Sequence, residues 1–240
     1  MARERDFALA EEMIVSSGSL YEFAANAPGA RAIAGRGTLY SVATRSGERW
    51  LVRRVRHGGL LAPLTGARFW RFGVPRPFNE LCLAQELTRM GIPTPEVAAA
   101  AVYRSGPYYR GEIARVELPS ADDLAACLFW PAKRELAEPE ELMHATGRLV
   151  AALHTAGLYH PDLNLRNVLI EHQAGAPRAH IIDLEKCALR TQLSARLRQR
   201  MLDRLRRSAR RFEGRLQRTI EPAAWAAFQA AYAEGTRGLS

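Results

Sequence analysis

The sequence predicts an α+β fold, β-rich up to about residue 118 and mainly helical after it. Three observations carry that expectation. Apolar and polar residues alternate on both sides of Ser46-Gly47, the signature of a hairpin. Two further runs, 96–103 and 108–118, are joined by the turn Arg104-Ser105-Gly106-Pro107 and read as strands. Beyond Pro119 the apolar residues recur mostly at three and four positions, the spacing of helices with one buried face.

In order along the chain, the alternation places the first hairpin strands at 38–44 and 49–55. Residues 58–77 read as an ordered connection, because Phe69, Trp70, Phe72 and Phe78 at its end are too apolar for a free linker. A helix follows from Pro77 to Met90, with Leu81, Leu83, Ala84 and Leu87 at helical spacing and Gly91 as its stop. Strands are expected at 96–103 and 108–118. In EELMHATGRLVAALHTAG, Leu142, Ala145, Leu149 and Leu153 mark a helix that Gly157 caps. A polar loop, two short strands at 168–170 and 179–182, and one long arginine-covered helix complete the pattern. Leu193, Leu197, Met201, Leu205, Phe212 and Leu216 form the apolar stripe of that helix. The expected order is a strand-rich first half with one helix, then a helical second half with a single small hairpin, without internal repeats.

A chain of 240 residues and 26.7 kDa, 48% hydrophobic, can bury a substantial core as one domain or two joined lobes. No apolar stretch approaches the ~20 residues of a membrane-spanning helix, and the first residues, MARERDFALAEEMIV, are charged where a signal peptide would be apolar. The expected location is therefore the cytosol, or a membrane surface reached from the cytosol. Cys82, Cys127 and Cys187 are too widely spaced for a zinc site and read as buried free thiols. The net charge of +9 is local: residues 190–218 carry eleven arginines against two acids, and Lys133 and Lys186 are the chain's only lysines.

The stretch with chemistry in it is LYHPDLNLRNVLIEHQAGAPRAHIIDLEK, residues 158–186. Asp162 stands just ahead of the first short strand and Asp183 at the end of the second, so a hairpin would bring both to the same side. Asp162, Asn167 and Asp183 would then offer three hard oxygen donors, which suits magnesium with phosphate oxygens completing its shell. One carboxylate kept off the metal could receive the proton of an attacking hydroxyl. A polar loop that only caps a hairpin would also account for Asp162 and Asn164. His160 and His154 read as structural hydrogen-bonding residues.

The run His160-Pro161-Asp162-Leu163-Asn164-Leu165-Arg166-Asn167 before Val168-Leu169-Ile170 resembles the catalytic loop of the protein-kinase-like superfamily, and Ile181-Ile182-Asp183-Leu184-Glu185 resembles its metal-binding motif. Asn164 and the stretch Trp50-Leu51-Val52-Arg53 running into His57-Gly58-Gly59 narrow the resemblance to the bacterial lipopolysaccharide core kinases that act on 3-deoxy-D-manno-octulosonic acid (Kdo). Phe78-Asn79-Glu80, Gly91-Ile92-Pro93-Thr94-Pro95, Tyr109-Arg110-Gly111 and Ala152-Leu153-His154 extend it over most of the chain.

That resemblance implies a two-lobed kinase fold, with a nucleotide-binding lobe at 1–118, a catalytic and acceptor lobe at 119–240, and the site between them. It implies ATP and Mg2+ as cofactors, Asp162 as catalytic base, and Asn167 and Asp183 as metal ligands. Glu80 falls where the family's helix carries its glutamate. Arg53 stands where ordinary kinases place the phosphate-contacting lysine, with Arg56 as the alternative if the strand register is off by one residue. Gly35 and Gly37 resemble a remnant of the glycine-rich loop. Pro161 and Leu184-Glu185 depart from the protein-kinase pattern and argue against activation by loop phosphorylation. The implied reaction is phosphorylation of a hydroxyl, the 4-hydroxyl, of Kdo on a lipid A precursor such as Kdo-lipid IVA, at the cytoplasmic side of the inner membrane. A core heptose, an aminoglycoside or a protein serine are alternative acceptors; a catalytically silent module whose basic helix binds nucleic acid is the alternative from another class.

The arginines of the last stripe-bearing helix, Arg196, Arg200, Arg204, Arg207 and Arg211, are expected to point outward, toward an anionic membrane and its lipid acceptor or simply into solvent. Nucleic acid is not expected as a partner, because no aromatic residues are interleaved with them for stacking on bases.

Overall fold

A computed structural model describes residues 1–33, 38–56, 68–70, 72–130, 137–172 and 175–239. The chain forms two compact units: Met1–Gln85 with Pro95–Glu117, and Glu86–Thr94 with Leu118–Ser240.

The first unit opens with helices α1 (Phe7–Ser17) and α2 (Leu20–Asn26), the second capped by the Ser19 side chain, which accepts from the Glu22 amide. An antiparallel sheet follows: β1 (Arg31–Ile33), β2 (Leu39–Ala43), β3 (Arg49–Arg54), β4 (Arg68–Trp70), β5 (Val97–Ser105) and β6 (Tyr108–Val116). The β2–β3 hairpin turns at Gly47, whose φ of 81° few side-chain-bearing residues adopt. Strand β6 is the hub, pairing with β3, β4 and β5. The alternation seen in sequence is its burial pattern: Trp50 and Val52 of β3 are fully buried, packed with Met13, Leu20 and Ala24 of the two helices. Helix α3 (Arg76–Arg89) lies between β4 and β5 in the chain and ends at Gly91.

Three expectations change here. Among the described residues the first half carries three α-helices where one was expected, and residues 68–70 form a short strand, with Phe69 buried against Tyr109 and Trp70 exposed. Residues 58–67, the rest of the expected ordered connection, lie outside the described residues. Cys82 is exposed rather than buried, because position 82 points away from the face that buries Leu81, Ala84 and Leu87; Cys127 and Cys187 are buried as expected. Burial pushes the Cys127 thiol up to about 12, so it is an inert packing group.

The second unit contains β7 (Ala121–Asp123), α4 (Leu124–Phe129), α5 (Pro139–Thr155), β8 (Leu158–Tyr159), β9 (Val168–Glu171), β10 (Arg178–Ile181), β11 (Ala188–Leu189), α6 (Ala195–Leu216) and α7 (Pro222–Gly235). The expected hairpin is β9–β10. It is not the only sheet here, since β7 adds a third strand on β9 and β8 pairs with β11. Gly157 caps α5 with φ of 78°, and a β-carbon there would strike the Arg190 carbonyl.

Helices α5 and α7 pack through small residues. A β-carbon on Gly147 would collide with the Phe228 carbonyl, and one on Gly235 would lie 2.7 Å from the Ala151 side chain. His154 of α5 and Tyr232 of α7 share a hydrogen bond of 2.7 Å. Burial lowers the His154 pKa to about 4, so the imidazole is neutral at physiological pH and serves as a strut. Gly147→Ala therefore forces this helix pair apart. The expected cost is about 1–3 kcal/mol, read as a lower midpoint in denaturant unfolding at unchanged slope.

Candidate active site

In the first unit the β2–β3 register, Leu39 opposite Arg53 and Tyr40 opposite Val52, turns Arg53 to the face opposite the core. Arg53 Nη2 donates to Glu80 Oε2 of α3 at 3.0 Å, and Arg115 of β6 makes the second ion pair to Glu80 Oε1. Glu80 is 1% exposed, so its charge is held by two guanidinium groups rather than by water. Arg54 points the other way, into an ion pair with Glu22 and over the ring of Tyr21. Arg53, not Arg54, is thus the partner of Glu80, the position at which protein kinases pair lysine with glutamate. Arg56, at the end of the segment, makes no ion pair to Glu80 among the described residues. Gly35, Gly37 and the segment His57-Gly58-Gly59 lie outside the described residues.

In the second unit, Leu163 and Leu165 are fully buried and pin the loop between β8 and β9, leaving the intervening polar residues at its surface. Asn164 shapes it: its Nδ2 donates to the Asp162 carbonyl at 2.8 Å and to Asp162 Oδ1 at 3.2 Å, while its Oδ1 accepts from the Arg166 amide at 3.0 Å. Asn167 Nδ2 donates to the same Asp162 carbonyl at 2.9 Å. That bond fixes the amide's orientation, since the oxygen would be repelled there, and leaves Oδ1 as an acceptor for a ligand.

The loop is tied to Asp183 from both sides. Ile182, the residue before it, donates its amide to the Asn167 carbonyl at 3.0 Å, continuing the β9–β10 register in which Ile181 faces Val168. The Ile182 carbonyl contacts His160 Nε2 at 3.0 Å, and the Asp162 amide reaches His160 Nδ1 at 3.3 Å. A neutral imidazole protonated on Nε2 satisfies both contacts. Burial pushes the His160 pKa down, which keeps it in that form and makes it a clamp rather than a base. Asp183 itself is left-handed, φ 66° and ψ 52°, one of two such non-glycine residues among those described, and it starts the 3-10 turn Leu184–Lys186. Asparagine and aspartate tolerate this conformation best, and such outliers cluster at functional sites. Its carboxylate lies within 4.8 Å of that of Glu185, an acid the sequence reasoning did not single out. Thr94 and Pro93 bond to Ile181 and so brace the strand that delivers Asp183.

Asp162, Asn167 and Asp183 therefore lie on two adjoining loop ends. The set of a carboxylate, an amide oxygen and a neighbouring acid suits a hard divalent cation, so the residues present fit the magnesium a kinase fold implies.

Helix α6 departs from expectation at one residue. Arg196, Arg200, Arg207 and Arg211 are exposed and make no ion pair among the described residues. Arg204 does not point away: its Nε and Nη2 donate to Asp162 Oδ1 at 2.8 and 2.5 Å. On a helix of 100° per residue the five arginines span an arc of about 80°, and Arg204 sits at the edge nearest the buried face. Ser208, one turn on, accepts from the Leu165 amide at 3.3 Å, so this flank of α6 is docked on the loop. Burial raises the Asp162 pKa, but the Arg204 ion pair and the Asn164 hydrogen bond outweigh it and hold the carboxyl below the usual range.

A sequence model of the lipopolysaccharide kinase (Kdo/WaaP) family matches residues 27–232. A 3-deoxy-D-manno-octulosonic acid kinase of Vibrio cholerae is 32% identical over 176 residues, 72% of this chain and 70% of that one. The kinases of the same name from Haemophilus influenzae strain PittEE (30% identical, 82% of each chain) and Xylella fastidiosa strain 9a5c (34%, 75% of this chain and 69% of that one) are similarly related. In three dimensions the chain resembles WaaP, solved in complex with acyl carrier protein, with a TM-score of 0.60 at 20% identity, covering 98% of this chain and 88% of that one. With the fold, the loops and the relatives in agreement, the chain belongs to the lipopolysaccharide kinase (Kdo/WaaP) family, whose members are sugar kinases on a protein-kinase-like fold.

Proposed function

We propose that the protein transfers the terminal phosphate of ATP to a hydroxyl of Kdo, the 4-hydroxyl, on a lipid A precursor such as Kdo-lipid IVA. The observation that carries this reading is the tie between Asp162 and Asp183: Asn167 donates to Asp162 through its side chain and accepts from Ile182 through its backbone. A base and two hard-ion donors are thereby fixed on adjoining loops. The names of the relatives supply the acceptor class.

In this mechanism Asp162, ionised at neutral pH, accepts the acceptor hydroxyl's proton; its Oδ1 is occupied by Arg204 and Asn164, which leaves Oδ2 to face the substrate. Asn167 Oδ1 and the Asp183 carboxylate would hold Mg2+, with Glu185 adding negative charge nearby. When bound, the ion neutralises charge on the β- and γ-phosphates. Arg53, steadied by Glu80, contacts the phosphates in place of the usual lysine. Arg53→Lys keeps a point charge but loses the fork, so it is expected to retain more activity than Arg53→Ala. A fully active Arg53→Ala protein beside an inactive Arg56→Ala protein would move the role to Arg56.

ATP consumption measured with Kdo-bearing lipid A precursor, heptosylated core, an aminoglycoside and RNA in separate reactions tests the assignment. Turnover with the Kdo acceptor alone is expected. Turnover with another sugar reassigns the acceptor, and none with any of them leaves a silent module.

No described helix is long and apolar enough to cross a membrane. We place the protein at the inner membrane's cytoplasmic face, with Arg196, Arg200, Arg207 and Arg211 toward anionic lipid, each worth about 1 kcal/mol near such a surface. Changing these four to glutamine is expected to weaken binding to anionic vesicles and raise the KM for lipid acceptor, with the KM for ATP unchanged. Added salt should mimic the substitutions.

A further inference from the structure

Arg204 alone among the five arginines of the basic face is engaged, and its partner is the candidate base itself. The pair does little for stability. Its side chains are 46% and 32% exposed, and ion pairs that wet contribute about 0–1 kcal/mol. The geometry is more informative. Both bonds use the Nε–Nη2 edge of the guanidinium and converge on one oxygen, Asp162 Oδ1. Arginine carries five N–H donors, so the Nη1–Nη2 edge retains a second pair, and no described residue takes it. That edge matches a carboxylate bidentately.

We infer that Arg204 is the residue that recognises the acceptor as a sugar acid, holding its carboxylate on the Nη1–Nη2 edge while the Nε–Nη2 edge keeps Asp162 aimed at the same sugar's hydroxyl. The inference rests on the kinase reading and adds to it the residue that reads the acceptor's carboxylate. An acidic acceptor brings a second anion beside the ionised Asp162, and like charges at that range repel. A guanidinium shared by both offsets the repulsion and fixes how the sugar is turned. A neutral hexose has nothing to fill the second edge, and leaving such a charged donor unmatched is how a site rejects a near-substrate. Nearby, Arg200 and Arg207 lie on the same face of α6, so the positive field extends along the helix from Arg204. No bond is made or broken by Arg204; it binds and positions.

The test is a two-by-two kinetic comparison on the full chain: wild type and Arg204→Gln, each with Kdo-lipid IVA and with the same lipid in which the Kdo carboxylate is converted to a carboxamide. With wild type, the carboxamide acceptor should have a kcat/KM lower by on the order of 10- to 100-fold, the size of one charge-assisted pair. Arg204→Gln should show at least as large a loss with the native acceptor, in acceptor KM because the carboxylate is unheld and in kcat because Asp162 is no longer aimed, and almost no further loss with the carboxamide; KM for ATP should be unchanged. Arg204→Lys should recover part of the loss. Penalties that multiply, or a wild-type enzyme indifferent to the carboxamide, would overturn the inference while leaving the kinase reading intact. Because the wild-type arm decides this on its own, a poorly folded variant does not rescue the idea. No transfer to Kdo-lipid IVA by wild type would overturn both.

Discussion

Asp162→Asn is expected to lower turnover by roughly 100- to 10,000-fold, the usual contribution of a positioned general base, while ATP binds as before. Asparagine is the informative replacement. Its amide oxygen can still accept from Arg204 and Asn164, so the loop that carries position 162 keeps its bonds while the proton acceptor is removed. Equilibrium titration with ATP and Mg2+ beside a single-turnover assay separates the two effects. A variant that loses nucleotide affinity and turnover together would show that residue 162 serves the metal instead.

Asp183→Asn should fail differently. Asparagine is the substitution that best tolerates φ of 66°, so the left-handed turn into Leu184–Lys186 survives and the negative charge alone is lost. Magnesium-dependent ATP affinity should fall by at least the roughly 10- to 100-fold that losing even an indirect metal partner costs. Affinity measured without the metal should change little. Equal losses with and without magnesium would remove Asp183 from the metal site.

The parts of this site that local spacing encodes were legible in the sequence. Period-two alternation located β3 and its neighbours; the family resemblance selected Arg53 on that strand, and its partner in the structure is Glu80. Two short apolar runs around a Gly/Pro turn located β9 and β10 and placed Asp183 beside Asn167. Long-range partners were not legible. Arg115 reaches Glu80 across 35 positions and Arg204 reaches Asp162 across 42, and no periodicity connects them. Arg204 was grouped with the outward arginines because it shares their arc. What marks it is its place next to Leu205 and one turn before Ser208, at the margin of the buried stripe. Strands of two or three residues such as β4, β7 and β8 are too short to show a period. Helix α7, PAAWAAFQAAYAEG, is so rich in alanine that apolar residues surround it and no face stands out; its packing depends instead on Gly147 and Gly235.

Phosphorus NMR of the reaction product tests most directly whether the Asp162 and Asp183 loops carry out phosphate transfer to Kdo. Purified protein incubated with ATP, Mg2+ and Kdo-lipid IVA should yield one new phosphomonoester resonance, coupled to the proton at the Kdo 4-position, and the Asp162→Asn protein should yield none above background. A phosphomonoester on another sugar, or inorganic phosphate without any new ester, would contradict the account.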